Sequence, residues 1–382
     1  MVKHFKGFGL ASAAALMMAA GSHAASAAAS PAAVKAAVDQ AVQAFVAANP
    51  QSVGISIGVY EDGQIYTYNY GTTAPAGHIK PTGDTLYPIA SITKTFTGAL
   101  LAQAQVEGRL RLDDDVRKYL DGDYPNLAFE GHPIHLYDLV DHRSGLPFFM
   151  PDRAETRPDF KGAGTFSGRV TEIEKTYTRQ DFFDDLHKVK LTSPPGQTFQ
   201  YSNAAAMLAG YILEKVYGQS YETLVKTRIA GPLGMTHTTI TLTPQEATQT
   251  VHGYDSGRLM PDPPDAFQAA GALKSSTRDM LKYVAWQIAE TDPAVRLSHQ
   301  SYTGPGNYQA GLNWQMLTAG DKRVLWQSGN FEGFNSFCVA EPELKLGVVV
   351  LFNEADDTSN PAHNVMVNAI LKGLAPDAVA LP

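Results

Sequence analysis

Only one cysteine, Cys338, occurs in this chain of 382 residues, so no internal disulfide can form and the fold must be held by its core. Cys338 lies in the alternating stretch "FNSFCVAE", where a buried structural thiol is the expectation rather than a nucleophile. Basic runs are also missing. With a net charge of −8 and no Lys/Arg cluster, neither nucleic acid nor an anionic membrane surface is expected as a partner. No apolar run is long enough to span a bilayer, so no stable membrane span is expected. No Gly-rich loop follows a strand in the manner of a phosphate-binding turn, and no nucleotide or other cofactor is expected. His132, His135 and His142 lie close together, but their spacing fits no standard zinc site, so no metal is expected either. What remains is ordinary globular usage, 44% hydrophobic and 18% charged, with enough apolar mass for a large core.

The chain opens with Lys3 and Lys6, a short apolar stretch over 7–20, and small residues at Ser22 and Ala24 or at Ala25 and Ala27. This pattern predicts a signal peptide over 1–27, cleaved between 24 and 27, and hence a periplasmic or secreted protein. Residues 28–382 are expected to form a single two-lobed domain. A sheet lobe would comprise about 31–90 and 271–382, and a helical lobe about 91–270.

"SPAAVKAAVDQAVQAFVAANP" predicts a helix with Val34, Val38, Ala41, Val42 and Phe45 on one face, stopped at Asn49-Pro50. "VGISIGVY" and "QIYTYNYG" alternate on either side of Glu61-Asp62-Gly63 and predict a hairpin. Tyr66, Tyr68 and Tyr70 would share one face of its second strand and pack on a helix. "SNAAAMLAGYILEKVYG" has helical spacing and a C-terminal cap at Gly218. "KRVLWQSG", "FNSFCVAE" and "LGVVVLFN" read as three more strands, and a last helix is expected over about 361–373. The fold class is therefore α/β (α+β). An antiparallel sheet is flanked by the N- and C-terminal helices on one face, with a mainly helical insertion on the other. Residues 148–192 read as a long polar loop overhanging the cleft entrance, either a variable surface insertion or a specificity loop.

"GISIG" (54–58) matches a hydrolase serine pattern, G-x-S-x-G, but that pattern requires a sharp turn between a strand and a helix. Ser56 sits inside an alternating strand, so the match is attributed to chance. Ser91 and Lys94, in "YPIASITKTFTGALLAQ", have a better context. Three residues apart at the start of an apolar helix, they share a face. A serine needs a base to become a nucleophile, and a lysine can be that base if burial lowers its pKa.

Two further motifs follow in order. Tyr201, Ser202 and Asn203 precede an apolar helix, and Gln327, Ser328 and Gly329 lie on a strand with Gly333 in the next turn. With these three motifs the sequence resembles the serine penicillin-recognising family, which includes class C β-lactamases, D-alanyl-D-alanine carboxypeptidases and their esterase relatives. The phrases "HRSGLP", "GPLGM" and "AAGALKSSTRDMLKY" are similar in wording and order, and the resemblance covers about 33–370.

The resemblance implies a β-lactamase/transpeptidase-like fold and an acyl-enzyme at Ser91, with Lys94 taking or relaying its proton. It implies that Tyr201 protonates the leaving nitrogen and later activates water, its phenol brought down from about 10 by Lys94. Asn203 would hold Lys94 and meet the substrate's acyl side chain. The backbone N–H groups of Ser91 and of Asn330, next to Ser328-Gly329, would form the oxyanion hole. The substrate would be a small molecule or a peptidoglycan peptide: a β-lactam or a D-alanyl peptide. The family usually carries Lys or His where this chain has Gln327, which weakens carboxylate binding by about tenfold. Arg323 compensates only if it reaches the cleft. A carboxylesterase on the same scaffold, and a penicillin-binding sensor or pseudoenzyme with little turnover, are the alternatives.

Overall fold

The structure, a computed structural model, describes residues 30–157, 159–161, 166–302, 306, 308–355 and 360–382. The leader read over 1–27 lies outside these. Seven strands form one antiparallel sheet in the order Gln64–Gly71, Gly54–Glu61, Leu346–Phe352, Phe334–Glu341, Lys322–Phe331, Gln315–Ala319, Tyr308–Ala310. The two ends of the chain meet in the middle of this sheet, where Ile57 lies opposite Val350. The described residues between 72 and 306 are therefore an excursion from one sheet. Both the hairpin and the three C-terminal strands form where the alternation predicts them.

The two-residue period of a strand sorts its side chains onto two faces. On one face Ile55, Ile57 and Val59 join Val348, Val350 and Phe352 beneath the helices Pro31–Ala48 and Asn360–Leu374. Val34, Val38, Ala41, Val42 and Phe45 are the buried residues of the first helix, which Asn49 caps. Tyr66, Tyr68 and Tyr70 pack on this side, and Tyr70 donates a 2.6 Å hydrogen bond to Asp39 of that helix. On the opposite face the helix Thr277–Ala289 sits unusually close. A Cβ at Gly58 would meet Leu281 at 2.8 Å, and one at Gly347 would meet Val284 at 2.2 Å, so any larger residue there would push these side chains aside. Ser56 points to this side, fully buried, and bonds Asn69 and Tyr87 at 2.9 Å each. It is a packing residue, as its strand context predicts.

Beyond lies the helix Thr93–Val106, preceded by the turn Ala90–Ile92. Ten consecutive residues of this helix, from Thr93 to Ala102, are buried, as expected of a helix packed on all sides. Asn203–Tyr217, capped by Ser202 and ended by left-handed Gly218, packs beside it.

The sequence reading differs from the structure in two places. The stretch 148–192 is not simply a loop, because it folds the helices Phe166–Glu174 and Arg179–Leu186. Thr178 and Asp181 form a capping box that starts the second, and Phe182 and Leu186 bury its inner face. The strands Tyr308–Ala310 and Gln315–Ala319 are additional; both are short, and non-local pairing decides them. Cys338 is buried, and burial pushes its thiol pKa up, as suits a structural residue. Among the described residues no helix is long and apolar enough to cross a membrane.

Glu174, at the end of its helix, is only 3% exposed, and neither carboxylate oxygen has a hydrogen-bond partner among the described residues. Burial raises its pKa from 4.5 to about 8. A carboxyl group raised in the folded state gives up its proton first in the unfolded chain, so its contribution to stability is lost as pH climbs from about 4.5 through 8. Glu174→Gln is expected to remove that slope. Denaturant titrations at pH 5 and pH 8.5 should show little difference at the lower pH and a variant more stable by about 1–3 kcal/mol at the higher.

Candidate active site

Ser91 lies in the turn Ala90–Ile92, immediately before the buried helix. Ala90 has φ 46°, a left-handed conformation that is strained for a residue with a Cβ. The surroundings hold it there. Ile89 donates its N–H to Leu273 O at 2.9 Å, and its carbonyl accepts from Ser336 Oγ at 2.9 Å. The strand Lys322–Phe331 passes so close that a Cβ on Gly329 would lie 2.5 Å from Ile89 O.

Beneath Ser91, the fully buried Lys94 Nζ donates to Ser91 Oγ at 2.9 Å, Asn203 Oδ1 at 2.7 Å and Ala270 O at 2.6 Å. Burial lowers its pKa well below that of an ordinary lysine. The count of its bonds suits either protonation state. An ammonium donates all three, whereas an amine keeps the two to Asn203 and Ala270 and turns its lone pair to the serine hydroxyl. Asn203 is placed for this by the helix it begins. Its N–H donates to Phe148 O at 2.9 Å, and Ser202 Oγ donates to Pro147 O at 2.7 Å.

Tyr201 donates its hydroxyl to Ser91 Oγ at 2.8 Å, from the other side. Lys94 Nζ lies 5.0 Å from the centre of the tyrosine ring, and its hydrogen bonds go to Ser91, Asn203 and Ala270 rather than to the phenolic oxygen. Burial therefore pushes the phenol pKa up, with the Ser91 hydrogen bond pulling the other way. The ring also lies against His142, 4.3 Å between centroids. Burial, reinforced by Lys94, holds His142 down at about 3, so it is a neutral imidazole whose Nδ1 accepts from Ser202 N–H at 3.3 Å. In the sequence His142 figures only in "HRSGLP" and in a histidine group whose spacing fits no zinc site, so its place behind Tyr201 is legible only in the structure.

Gln327, 2% exposed, accepts at Oε1 from Gln315 Nε2 (3.0 Å) and from Ser328 N–H (3.2 Å), and donates from Nε2 to Asn313 O (3.2 Å). Asn313 in turn donates to Lys94 O at 2.8 Å. Arg323 does not reach the cleft. Its guanidinium is paired with Glu290 at 3.0 Å and Glu343 at 2.6 Å, so it cannot compensate for the uncharged residue at 327. Gln315 was missed because its strand was not recognised.

These residues share one cavity of about 330 Å³, lined by Ser91, Tyr201, Asn203, Gln327, Ser328 and Asn330. Gly329 lies between the last two on the same strand. Phe267 and Phe331 add apolar wall, and Phe148, Phe149 and Val170 bring the 148–192 stretch to the cavity. Among the described residues no cluster of His, Cys, Asp or Glu could hold a metal ion.

A seven-stranded antiparallel sheet packed against such a helix is the β-lactamase/transpeptidase fold. The chain belongs to the Beta-lactamase family, whose model matches residues 38–371. It is 26% identical over 351 residues to the Beta-lactamase of Escherichia coli K12, covering 81% of this chain and 86% of that one. Protein flp of Staphylococcus aureus N315 is 28% identical over 318 residues, 78% of this chain, and the match spans 59% of that protein's length. Among solved structures, the beta-lactamase/D-alanine carboxypeptidase of Yersinia pestis superposes with a TM-score of 0.72 at 26% identity, over 90% of this chain and 99% of that one. The fold is thus that of beta-lactamase-family serine hydrolases and carboxypeptidases.

Proposed function

We propose that this protein is an exported serine hydrolase that forms an acyl-enzyme on Ser91 and hydrolyses an amide bond, in a β-lactam or a D-alanyl peptide. One observation carries the reading: Ser91 Oγ is held between Lys94 Nζ at 2.9 Å and Tyr201 OH at 2.8 Å, facing a cavity. Lys94, desolvated into its amine form, accepts the serine proton as Oγ attacks the carbonyl carbon. The backbone N–H groups of Ser91 and Asn330 receive the developing oxyanion. Tyr201, a phenol beside Oγ, passes its proton to the leaving atom and is left as phenolate near the protonated Lys94. In deacylation a water occupies the leaving group's place and gives its proton to the Tyr201 phenolate as it attacks the acyl carbon, while Lys94 returns its proton to Ser91 Oγ as the acyl bond breaks. Export rests on the leader pattern at 1–27. A carboxylesterase is the second reading, supported by cavity walls of Phe148, Phe149, Phe267 and Phe331.

The test follows the intact mass of the mature protein mixed with benzylpenicillin, with Ser91→Ala as control. An adduct that forms and decays while penicilloate accumulates is the expected result. A persistent adduct points to a penicillin-binding peptidase or sensor, and no adduct with rapid turnover of p-nitrophenyl esters points to the esterase. Any turnover retained by Ser91→Ala sinks the acyl-enzyme.

A further inference from the structure

Resting on the acyl-enzyme reading, we propose that a Gln315–Gln327 amide pair makes this site select substrates that are uncharged where they meet the strand Lys322–Phe331. These are esters, neutral amides and amidated peptides, favoured by about tenfold over their free carboxylates, which still acylate the site. The pair is oriented by its partners. Tyr308 donates its hydroxyl to Gln315 Oε1 at 3.0 Å, which turns Gln315 Nε2 toward Gln327 Oε1, 3.0 Å away. Gln327 Oε1 takes a second hydrogen bond from Ser328 N–H at 3.2 Å, while its Nε2 donates to Asn313 O at 3.2 Å. Reversing the Gln327 amide would set its NH₂ against two donors and its oxygen against a carbonyl, so this orientation is fixed. Each amide still has a second N–H to offer. A substrate at this wall therefore meets amide N–H groups and the Ser328 hydroxyl, all of them neutral.

Formal positive charge is directed elsewhere. Lys94 is buried under Ser91 with its three bonds made. Arg323, on the same strand as Gln327, is turned into Glu290 and Glu343. Among the described residues that line the cavity none is Lys, Arg or His. The adjoining recess beyond Phe148 and Tyr201 does hold Arg157 and Lys190, but it also holds Asp152 and Asp159, and Arg157 pairs with Asp152 at 3.1 Å. A carboxylate entering this site would give up its hydration between aromatic walls with no cation to replace it, whereas an ester or amide carbonyl gives up little and finds N–H donors.

A matched pair of depsipeptides tests this: phenylacetylglycyl-D-lactate and its D-lactamide, each rate normalised to its non-enzymic hydroxide hydrolysis. The D-lactamide should be favoured in kcat/KM by about tenfold or more. Gln315→Lys, which sets an ammonium at the same wall, should reverse the preference. Tyr308→Phe, at an exposed position, should narrow it by releasing the Gln315 amide, and serves should the lysine variant fail to fold. Equal rates or a carboxylate preference in the parent protein would overturn the inference, as would a ratio unmoved in both variants. Labelling of Ser91 by a neutral alkyl fluorophosphonate is read alongside. Failure of that labelling counts against the acyl-enzyme itself, whereas labelling with the wrong charge preference counts against the amide pair alone.

Discussion

Lys94→Met is expected to slow acylation of Ser91 by about 10²–10⁴-fold, the usual contribution of a positioned base. Methionine has nearly the volume of lysine, with sulfur in place of the δ-methylene and no terminal nitrogen, so the helix stays filled while the base is lost. Ser91 keeps its hydrogen bond from Tyr201, so the nucleophile stays in place with no group to take its proton. Stability should move in the opposite direction. A buried lysine whose pKa is lowered carries a penalty at neutral pH, because the unfolded chain binds the proton that the folded chain resists. That penalty fades as the pH rises toward the ordinary lysine value, where both states are neutral. The stability of Lys94→Met relative to the parent should therefore be highest near pH 7 and fall toward pH 10. The loss of the bonds to Asn203 and Ala270 lowers it by a roughly constant amount throughout. Fluorophosphonate labelling rates, with denaturant titrations at the two pH values, check both halves. A variant labelled as fast as the parent would remove Lys94 from the role of base.

The parts of the molecule that could be read from the sequence are those set by local pattern. Val34 to Phe45 have helical spacing, Ile55 to Val59 alternate, and both patterns survive because each element buries one continuous face. Ser91 and Lys94 are legible for the same reason, since three residues along a helix bring two side chains together whatever the rest of the chain does. What was not legible depends on distant segments. The contact of Asn203 Oδ1 with Lys94, 109 residues away, was implied only by the family resemblance, and nothing around "QAAGAL" reports that Ala270 O reaches Lys94 from 176 residues away. Gln315 lies on a five-residue strand whose polar and apolar residues decide nothing until Lys322–Phe331 pairs with it. Nothing in "HRSGLP" marks the ring of His142, and its neutral imidazole against Tyr201 appears only once burial is known. Three departures from expectation meet at the site: the left-handed Ala90, the buried lysine and the uncharged Gln327. Conflict between local preference and global structure is most readily tolerated at a functional site, where the surrounding packing can hold it.

The same reasoning makes Gly329 a position where one added methyl group should cost catalysis. A Cβ there would lie 2.5 Å from Ile89 O, 2.5 Å from Ser336 Oγ and 2.8 Å from Ala90 Cβ. None of the three yields easily. Ile89 is fixed through its N–H to Leu273 and its carbonyl to Ser336, and Ala90 is the strained residue that presents Ser91. The strand and the turn must therefore move apart, and they are the two elements that carry the proposed oxyanion donors, Asn330 on one and Ser91 on the other. Misplacing such a donor typically costs about 10²–10³-fold in rate, whereas overpacking one methyl group costs about 1–3 kcal/mol of stability. Gly329→Ala should consequently fold, lose kcat with KM little changed, and leave the bonds that Lys94 makes to Asn203 and Ala270 intact. Steady-state kinetics on a neutral ester, set beside a denaturant titration of the same preparation, separates the two effects. Undiminished kcat in a folded variant would show that the close passage of strand and turn does not set the oxyanion site.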